Sequence, residues 1–201
     1  MNNLIYVFIL ISICNLFAVS KKSLNLEICS KVLLMPTLFL SFAFVTSNKM
    51  LLAVGLFYTL GDALLLSRKF PCFMAGAISF LIGHIFYYTQ LVQYINWSYL
   101  PFAVLAGILF LVYYWHIIFK DKRILNYLEL LYIVFVDMLF VLSFAAGSTV
   151  MTLGAYLFAF SDILVVKSKN DESVDNSDFK IMFTYILGNF TLLYGQFLML
   201  K

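Results

Sequence analysis

The sequence predicts an all-α polytopic membrane protein, a single bundle of eight transmembrane helices, on three observations. Of its 201 residues, 64% are hydrophobic and only 11% are charged. Soluble domains carry about a quarter charged residues, and a chain with so few cannot cover a water-facing surface. Apolar runs recur at the length of ~20 residues that crosses a bilayer core. None of them alternates strictly between apolar and polar residues, as a membrane-barrel strand must.

The first run, 3–20, has no basic residue ahead of it, and Ser20-Lys21-Lys22 behind it reads as a stop rather than a cleavage site. It is therefore expected to be a retained membrane helix and not a signal peptide. Two runs follow in quick succession at 32–47 and 50–67, and Arg68-Lys69 separates the latter from a fourth at 72–92. The fifth, 98–119, ends on the basic cluster Lys120-Asp121-Lys122-Arg123 before the sixth at 124–144. The seventh, 150–166, and the eighth, 179–200, flank the polar stretch 167–178. Such a composition buries little apolar surface, so a flexible cytoplasmic loop is expected there. The whole chain, 1–201, reads as one transmembrane domain.

Charge gives the orientation. The odd-numbered connections and their helix edges hold Lys21, Lys22, Lys31, Arg68, Lys69, Lys120, Lys122, Arg123, Lys167, Lys169 and Lys180, which is 11 of the 13 basic residues. The even-numbered ones and the termini hold Lys49 and Lys201. The positive-inside rule then places the odd loops in the cytoplasm and both termini outside or in the lumen. The expected membrane is the bacterial inner membrane or the eukaryotic endoplasmic reticulum. A net charge of +3 calls for no nucleic-acid partner; these residues set topology and attract anionic lipid headgroups. Cys14, Cys29 and Cys72 have neither metal-ligand spacing nor an oxidising compartment, so free thiols are expected.

Two carboxylates stand out inside this apolar sequence, in Gly61-Asp62-Ala63 and Ser161-Asp162-Ile163. A charged residue at the centre of a membrane helix costs roughly 2.5–3.5 kcal/mol on the insertion scale and is rarely kept without a task. Asp62 and Asp162 lie 100 positions apart, each about five residues before a basic cluster. The same offset sets Lys22 on Lys122. One reading is a parallel repeat of four plus four helices with its site between the halves; the other is coincidence. Two carboxylates buried side by side cannot both ionise cheaply, which makes an acid and a base from identical residues. The bland alternative is that each hydrogen-bonds a neighbouring helix.

His84 shares a helix face with Tyr87 and Tyr88, at i+3 and i+4. Counting from Cys72 sets it about 18 Å into the membrane, deeper than the aspartates, which suits hydrogen bonding better than direct proton transfer. Asp137, in the middle of the sixth run, ranks third among the carboxylates, with Glu129 nearer its cytoplasmic end. Lys31 is expected to open the second helix, where an ammonium either anchors the helix or holds a lipid phosphate. His116, beside Trp115, reads as interfacial. No nucleotide loop, zinc motif or serine-nucleophile elbow is present.

These elements, in this order, resemble the YhhN-like, or lysoplasmalogenase, family of multi-pass membrane proteins. The resemblance rests on Lys31 with Pro36, Leu56–Leu65 with Gly61-Asp62, Phe80–Tyr87 with His84-Ile85-Phe86-Tyr87, and Gly154–Ile163 with Ser161-Asp162. On the last helix, Tyr185-Ile186-Leu187-Gly188-Asn189 stands nearest the family's Tyr-Tyr-x-Ala-Gln, with Asn189 where Gln is usual. Val32, not proline, follows Lys31. The resemblance implies hydrolysis of the vinyl ether of a lysoplasmalogen to a fatty aldehyde and a glycerophospho-ethanolamine or -choline. In that reading Asp62 and Asp162 are catalytic, and Lys31, His84, Tyr87, Tyr185 and Asn189 bind or support the substrate. No metal or cofactor is implied; the partners are the lysophospholipid and the surrounding membrane lipids. A reading of another class is a non-catalytic lipid-binding protein or a proton-coupled transporter that uses the same carboxylates.

Overall fold

The computed structural model describes residues 3–67, 69–120, 127–168 and 177–200. They form eight α-helices: α1 Asn3–Ser20, α2 Leu24–Thr46, α3 Lys49–Leu65, α4 Phe70–Leu91, α5 Leu100–Lys120, α6 Tyr127–Ala145, α7 Thr149–Ser168 and α8 Ser177–Met199. A single 3₁₀ turn, Val92–Tyr94, extends α4. No strand occurs among the described residues. Four stretches are both long and apolar enough to cross a membrane: Asn3–Ser20, Leu24–Thr46, Pro71–Tyr94 and Asp178–Met199. Shorter apolar helical stretches lie at Leu100–His116, Leu131–Ala145 and Thr149–Val165. This is the make-up of a membrane protein.

The expected start of the sixth run, 124, lies outside the described residues. Among the described residues the helix ends lie within a few positions of the apolar runs, except in α2. That helix begins at Leu24, eight residues ahead of the expected 32, so Lys31 lies two turns inside it and does not open it. Its first turns are polar, which hides them from a hydropathy reading. They are fixed instead by α1: the Asn15 amide donates to the Ser30 hydroxyl at 2.9 Å and to the Glu27 carbonyl at 3.4 Å. Most of the expected 167–178 loop, residues 169–176, lies outside the described residues.

Packing follows chain order from α1 to α4, crosses from α4 to α6, and continues through α7 and α8 back to α2. Six helices thus close a ring, with α1 outside against α2 and α8, and α5 outside against α6. Apolar side chains such as Leu10, Phe44, Phe102 and Leu109 point outwards, as lipid-facing helices require. Inside, the Tyr58 ring meets Phe80, His84, Phe39 and Phe158 at centroid distances of 5.3, 5.4, 5.5 and 6.0 Å.

Small residues bring the site-bearing helices together, since close backbone approach replaces the hydrophobic drive that lipid does not supply. A Cβ added to Gly154 would stand 2.3 Å from the Leu192 nitrogen, and one on Gly188 would stand 2.7 Å from the Phe158 nitrogen. The backbones of α7 and α8 therefore touch. On the other side of the ring, the Phe80 ring of α4 lies over Gly61 of α3.

Candidate active site

Asp62 lies three residues before the end of α3 and is 2% exposed. The Tyr185 hydroxyl of α8 donates to its Oδ2 at 2.9 Å. Asp162 lies six residues before the end of α7 and is half-buried. The Tyr132 hydroxyl of α6 donates to its Oδ2 at 3.1 Å. The two carboxyl groups are close enough for their charges to interact, and the Lys31 ammonium is within the same reach of Asp62. The Tyr58 hydroxyl lies within electrostatic range of Asp162, and also of the Tyr185 and Tyr132 phenols. Five helices, α2, α3, α6, α7 and α8, thus deliver charged or hydroxyl groups to one buried cluster.

His84 closes the deeper side. It is fully buried, and its Nδ1 lies 2.7 Å from the Phe80 carbonyl one turn earlier. A carbonyl only accepts, so that bond assigns the proton to Nδ1 and leaves Nε2 as a bare acceptor. His84 packs against Tyr58 of α3 and Phe158 of α7, each one turn from its aspartate. It is therefore about 6 Å deeper than the carboxylates. The larger gap counted from Cys72 is corrected by the register of α3 against α4, in which Phe80 lies level with Gly61.

Several buried polar atoms find no partner among the described residues: Nε2 of His84, the hydroxyls of Tyr58 and Tyr87, and Oδ1 of Asn189. Buried polar atoms are normally hydrogen-bonded, and each exception calls for an explanation. The Tyr58 and His84 rings meet at 5.4 Å and the Tyr87 phenol lies within electrostatic range of Tyr58, so three of these free atoms belong to neighbouring residues. Asn189 donates to the Tyr185 carbonyl at 2.9 Å, one turn back along α8.

Residues 26–196 match the YhhN family. The chain belongs to that family. The match spans every helix from α2 to α8 and so contains Lys31, both aspartates, His84, Tyr185 and Asn189. No curated protein and no solved structure matches the chain.

For this YhhN protein, the structure also separates candidates. Asp137 is buried but faces α5: a Cβ on Gly107 would lie 3.1 Å from its Oδ2. Its Oδ1 has no partner among the described residues. Its charge reaches Tyr88, whose hydroxyl donates to the Phe135 carbonyl. His116 is exposed on α5 beside exposed Trp115, as an interfacial residue would be. The Glu129 side chain lies outside the described residues. Among the described residues, no three His, Cys, Asp or Glu side chains gather in a way that could hold a metal ion.

Sequence reasoning missed Tyr58 and Tyr132. Tyr58 stands four residues before Asp62, one turn away on the same face, and that spacing alone would have found it. Tyr132 carries no local signal, because its partner is 30 residues away on another helix.

Proposed function

We propose that this protein hydrolyses the vinyl ether bond of a lysoplasmalogen inside the membrane. The observation that carries the reading is that Asp62 and Asp162 lie within electrostatic range of each other, each held by a tyrosine hydroxyl. Membership of the YhhN family, which is associated with lysoplasmalogenase activity, points the same way.

A vinyl ether is cleaved by protonating its β-carbon. One aspartic acid gives that proton, and the C=C electron pair forms the new C–H bond, leaving an oxocarbenium ion. The other aspartate stabilises the cation and takes a proton from the water that attacks it. The hemiacetal then collapses to a fatty aldehyde and the glycerol hydroxyl. In that collapse the newly protonated aspartic acid gives its proton to the departing ether oxygen and the other carboxylate takes the hydroxyl proton, so each aspartate returns to its starting state. Either aspartate fits the acid role. In this reading Lys31 meets the phosphate, and Tyr58, His84 and Tyr87 line the deeper side of the ether linkage.

The reading includes eight membrane-spanning helices with both termini outside or lumenal. It also includes a repeat of α1–α4 in α5–α8. Besides Asp62 and Asp162, Lys31 and Tyr132 then correspond, as do His84 and Tyr185, at offsets of 100, 101 and 101 positions. In each half, a residue from the second helix serves the aspartate of the third.

The test is to incubate purified protein in detergent with a lysoplasmalogen and with its saturated alkyl-ether analogue, then assay aldehyde. The saturated ether cannot form the cation by protonation and should be inert. Release of aldehyde from the vinyl ether alone is expected. No release from a folded preparation would overturn the reading, and would favour lipid binding or transport, which requires sealed compartments.

A further inference from the structure

Helices α5 and α7 both pack on α6, and between them runs a trough with α6 as its floor. Towards the α6–α7 turn it opens to about 740 Å³, lined by Tyr99 just before α5, Phe102 of α5, Phe140 and Phe144 of α6, and Leu153 and Tyr156 of α7. That volume falls within the range of ligand sites, roughly 300–1,000 Å³. Farther along the same three helices is a cavity of about 10 Å³ between Phe110, Tyr132, Ala159 and Asp162. It has room for about one water molecule.

The two spaces belong to one line. On α7 it runs through residues 149, 152, 156, 159 and 162, and on α6 through 132, 136, 140 and 144. These are the three- and four-residue steps of a single helix face. Phe110 divides them. Its ring stacks on Phe140 at 5.7 Å and meets Tyr156 edge-on at 6.1 Å, while the same side chain borders the Asp162 cavity.

We propose that this trough seats the single aliphatic chain of the lysolipid, and that Phe110 is the residue that sets how the chain reaches Asp162. The proposal rests on the lysoplasmalogenase reading and deepens it. From Thr149 to Asp162 the trough is about 20 Å long at 1.5 Å per residue, and one leaflet of hydrocarbon is about 15 Å thick. A chain made to fill a leaflet therefore fits along it. The walls are apolar and half open: Phe102, Leu153 and Tyr156 are 66%, 53% and 41% exposed. A chain already dissolved in the bilayer slides in sideways and never leaves an apolar medium. The Thr152 hydroxyl is engaged by the Ser148 carbonyl at 2.8 Å, so it is not presented to a polar ligand. With the tail towards the α6–α7 turn, the ether linkage lies at Asp162 and the phosphate points towards Lys31. Phe110 must swing aside for the chain to pass, because the cavity behind it admits no more than a water molecule.

The test has a binding arm and a kinetic arm. A lysophosphatidylethanolamine with a diazirine on its terminal chain carbon is photolysed on the full-length protein in lipid nanodiscs, and the labelled residues are mapped by mass spectrometry. Labels on Phe102, Leu153 or Tyr156 are expected; labels confined to α1, α2 or α8 would overturn the proposal. In the kinetic arm, Leu153→Trp narrows the trough from its exposed wall without touching the core. It should raise KM for a long-chain lysoplasmalogen about tenfold more than for a short-chain one. Phe110→Ala should narrow the difference between the two chain lengths. Equal KM changes for both chain lengths in both variants would overturn it. If no vinyl ether is cleaved but labels still fall in the trough, the chain site stands and the hydrolase reading fails. If aldehyde forms while labels fall elsewhere, only the chain site fails.

Discussion

Tyr185 on α8 donates its hydroxyl hydrogen to Asp62 on α3 across 123 positions of sequence, at 2.9 Å. A hydrogen bond to a charged group contributes about 1.5–3 kcal/mol, roughly twice a neutral one. It also fixes the carboxyl orientation, which matters when a proton must reach one carbon of a double bond. Tyr185→Phe removes the donor but keeps the ring that packs on Phe158 at 5.8 Å. The variant should fold normally and lose about 10–100-fold in kcat, with KM changed much less. Wild-type aldehyde release from it would make the contact structural only.

The aspartates themselves should weigh more. Asp62→Asn and Asp162→Asn keep size and polarity while removing the ability to donate and accept a proton. Each should lower kcat by at least ~10², the lower end for loss of acid–base catalysis. The double variant should lose little beyond the worse single one, because residues that act as a unit are not additive. Near-normal turnover by either single variant would sink the shared-site mechanism.

Why was this pair legible from sequence, when half of its surroundings was not? A carboxylate inside an apolar run is conspicuous one residue at a time, since its cost needs no knowledge of neighbours. The eight helices were legible for the same reason, with polar Leu24–Lys31 the one stretch misread. Tyr132 is one of 13 tyrosines and nothing local marks it. Its role exists only once α6 lies beside α7. Asp137 shows the converse, for it is as conspicuous as the other two, yet only packing reveals that it faces Gly107 and not the pair. The depth of His84 was misjudged because helix ends do not fix the register between neighbours. That register is fixed by Phe80 lying on Gly61.

Lys31 offers a sharper test now that it is known to lie two turns inside α2. We expect it to hold the lysolipid phosphate while its charge also reaches Asp62. Lys31→Met keeps an unbranched, apolar stem but no ammonium. It should raise KM for phosphate-bearing substrates and affect a headgroup-free alkenyl glycerol much less. An unchanged KM in a well-expressed variant would reduce Lys31 to a structural residue.

The α7–α8 contact should tolerate no added atoms. Alanine at Gly188 would bring a Cβ within 2.7 Å of the Phe158 backbone nitrogen, where no side chain can swing away. Overpacking of this kind costs typically about 1–3 kcal/mol. Gly188→Ala should lower thermal stability in detergent. It should also lower kcat, because the same shift moves Tyr185 on α8 relative to Asp162 on α7. Alanine at Gly147, which has φ +75° and lies beside the Tyr99 ring, strains a turn at the far end of the bundle, at the mouth of the apolar trough and away from the aspartates. It should lower stability with little effect on kcat. Equal loss of activity from both would argue against a seam that positions the site.

Topology is open to a direct test, and the expectation rests on 11 of 13 basic residues falling in the odd-numbered connections and their helix edges. The opposite end carries the aromatic side chains of Trp97 and Tyr99, 76% and 48% exposed, as an interfacial belt would. Ser23, between α1 and α2, and Ser98, before α5, are exposed residues at the two ends. The native cysteines must first be changed to serine, since Cys14 and Cys29 are exposed and would react themselves. In that background, Ser98→Cys should react with a membrane-impermeant maleimide applied outside intact cells or on the lumenal face. Ser23→Cys should react only from the cytoplasmic face. Reaction of both from one side would break the even-span arrangement that brings Asp62 and Asp162 to the same depth. Reaction of each from the face opposite to that expected would keep the bundle but invert it. The lysolipid phosphate, drawn to Lys31, would then be taken from the outer or lumenal leaflet and not from the cytoplasmic one.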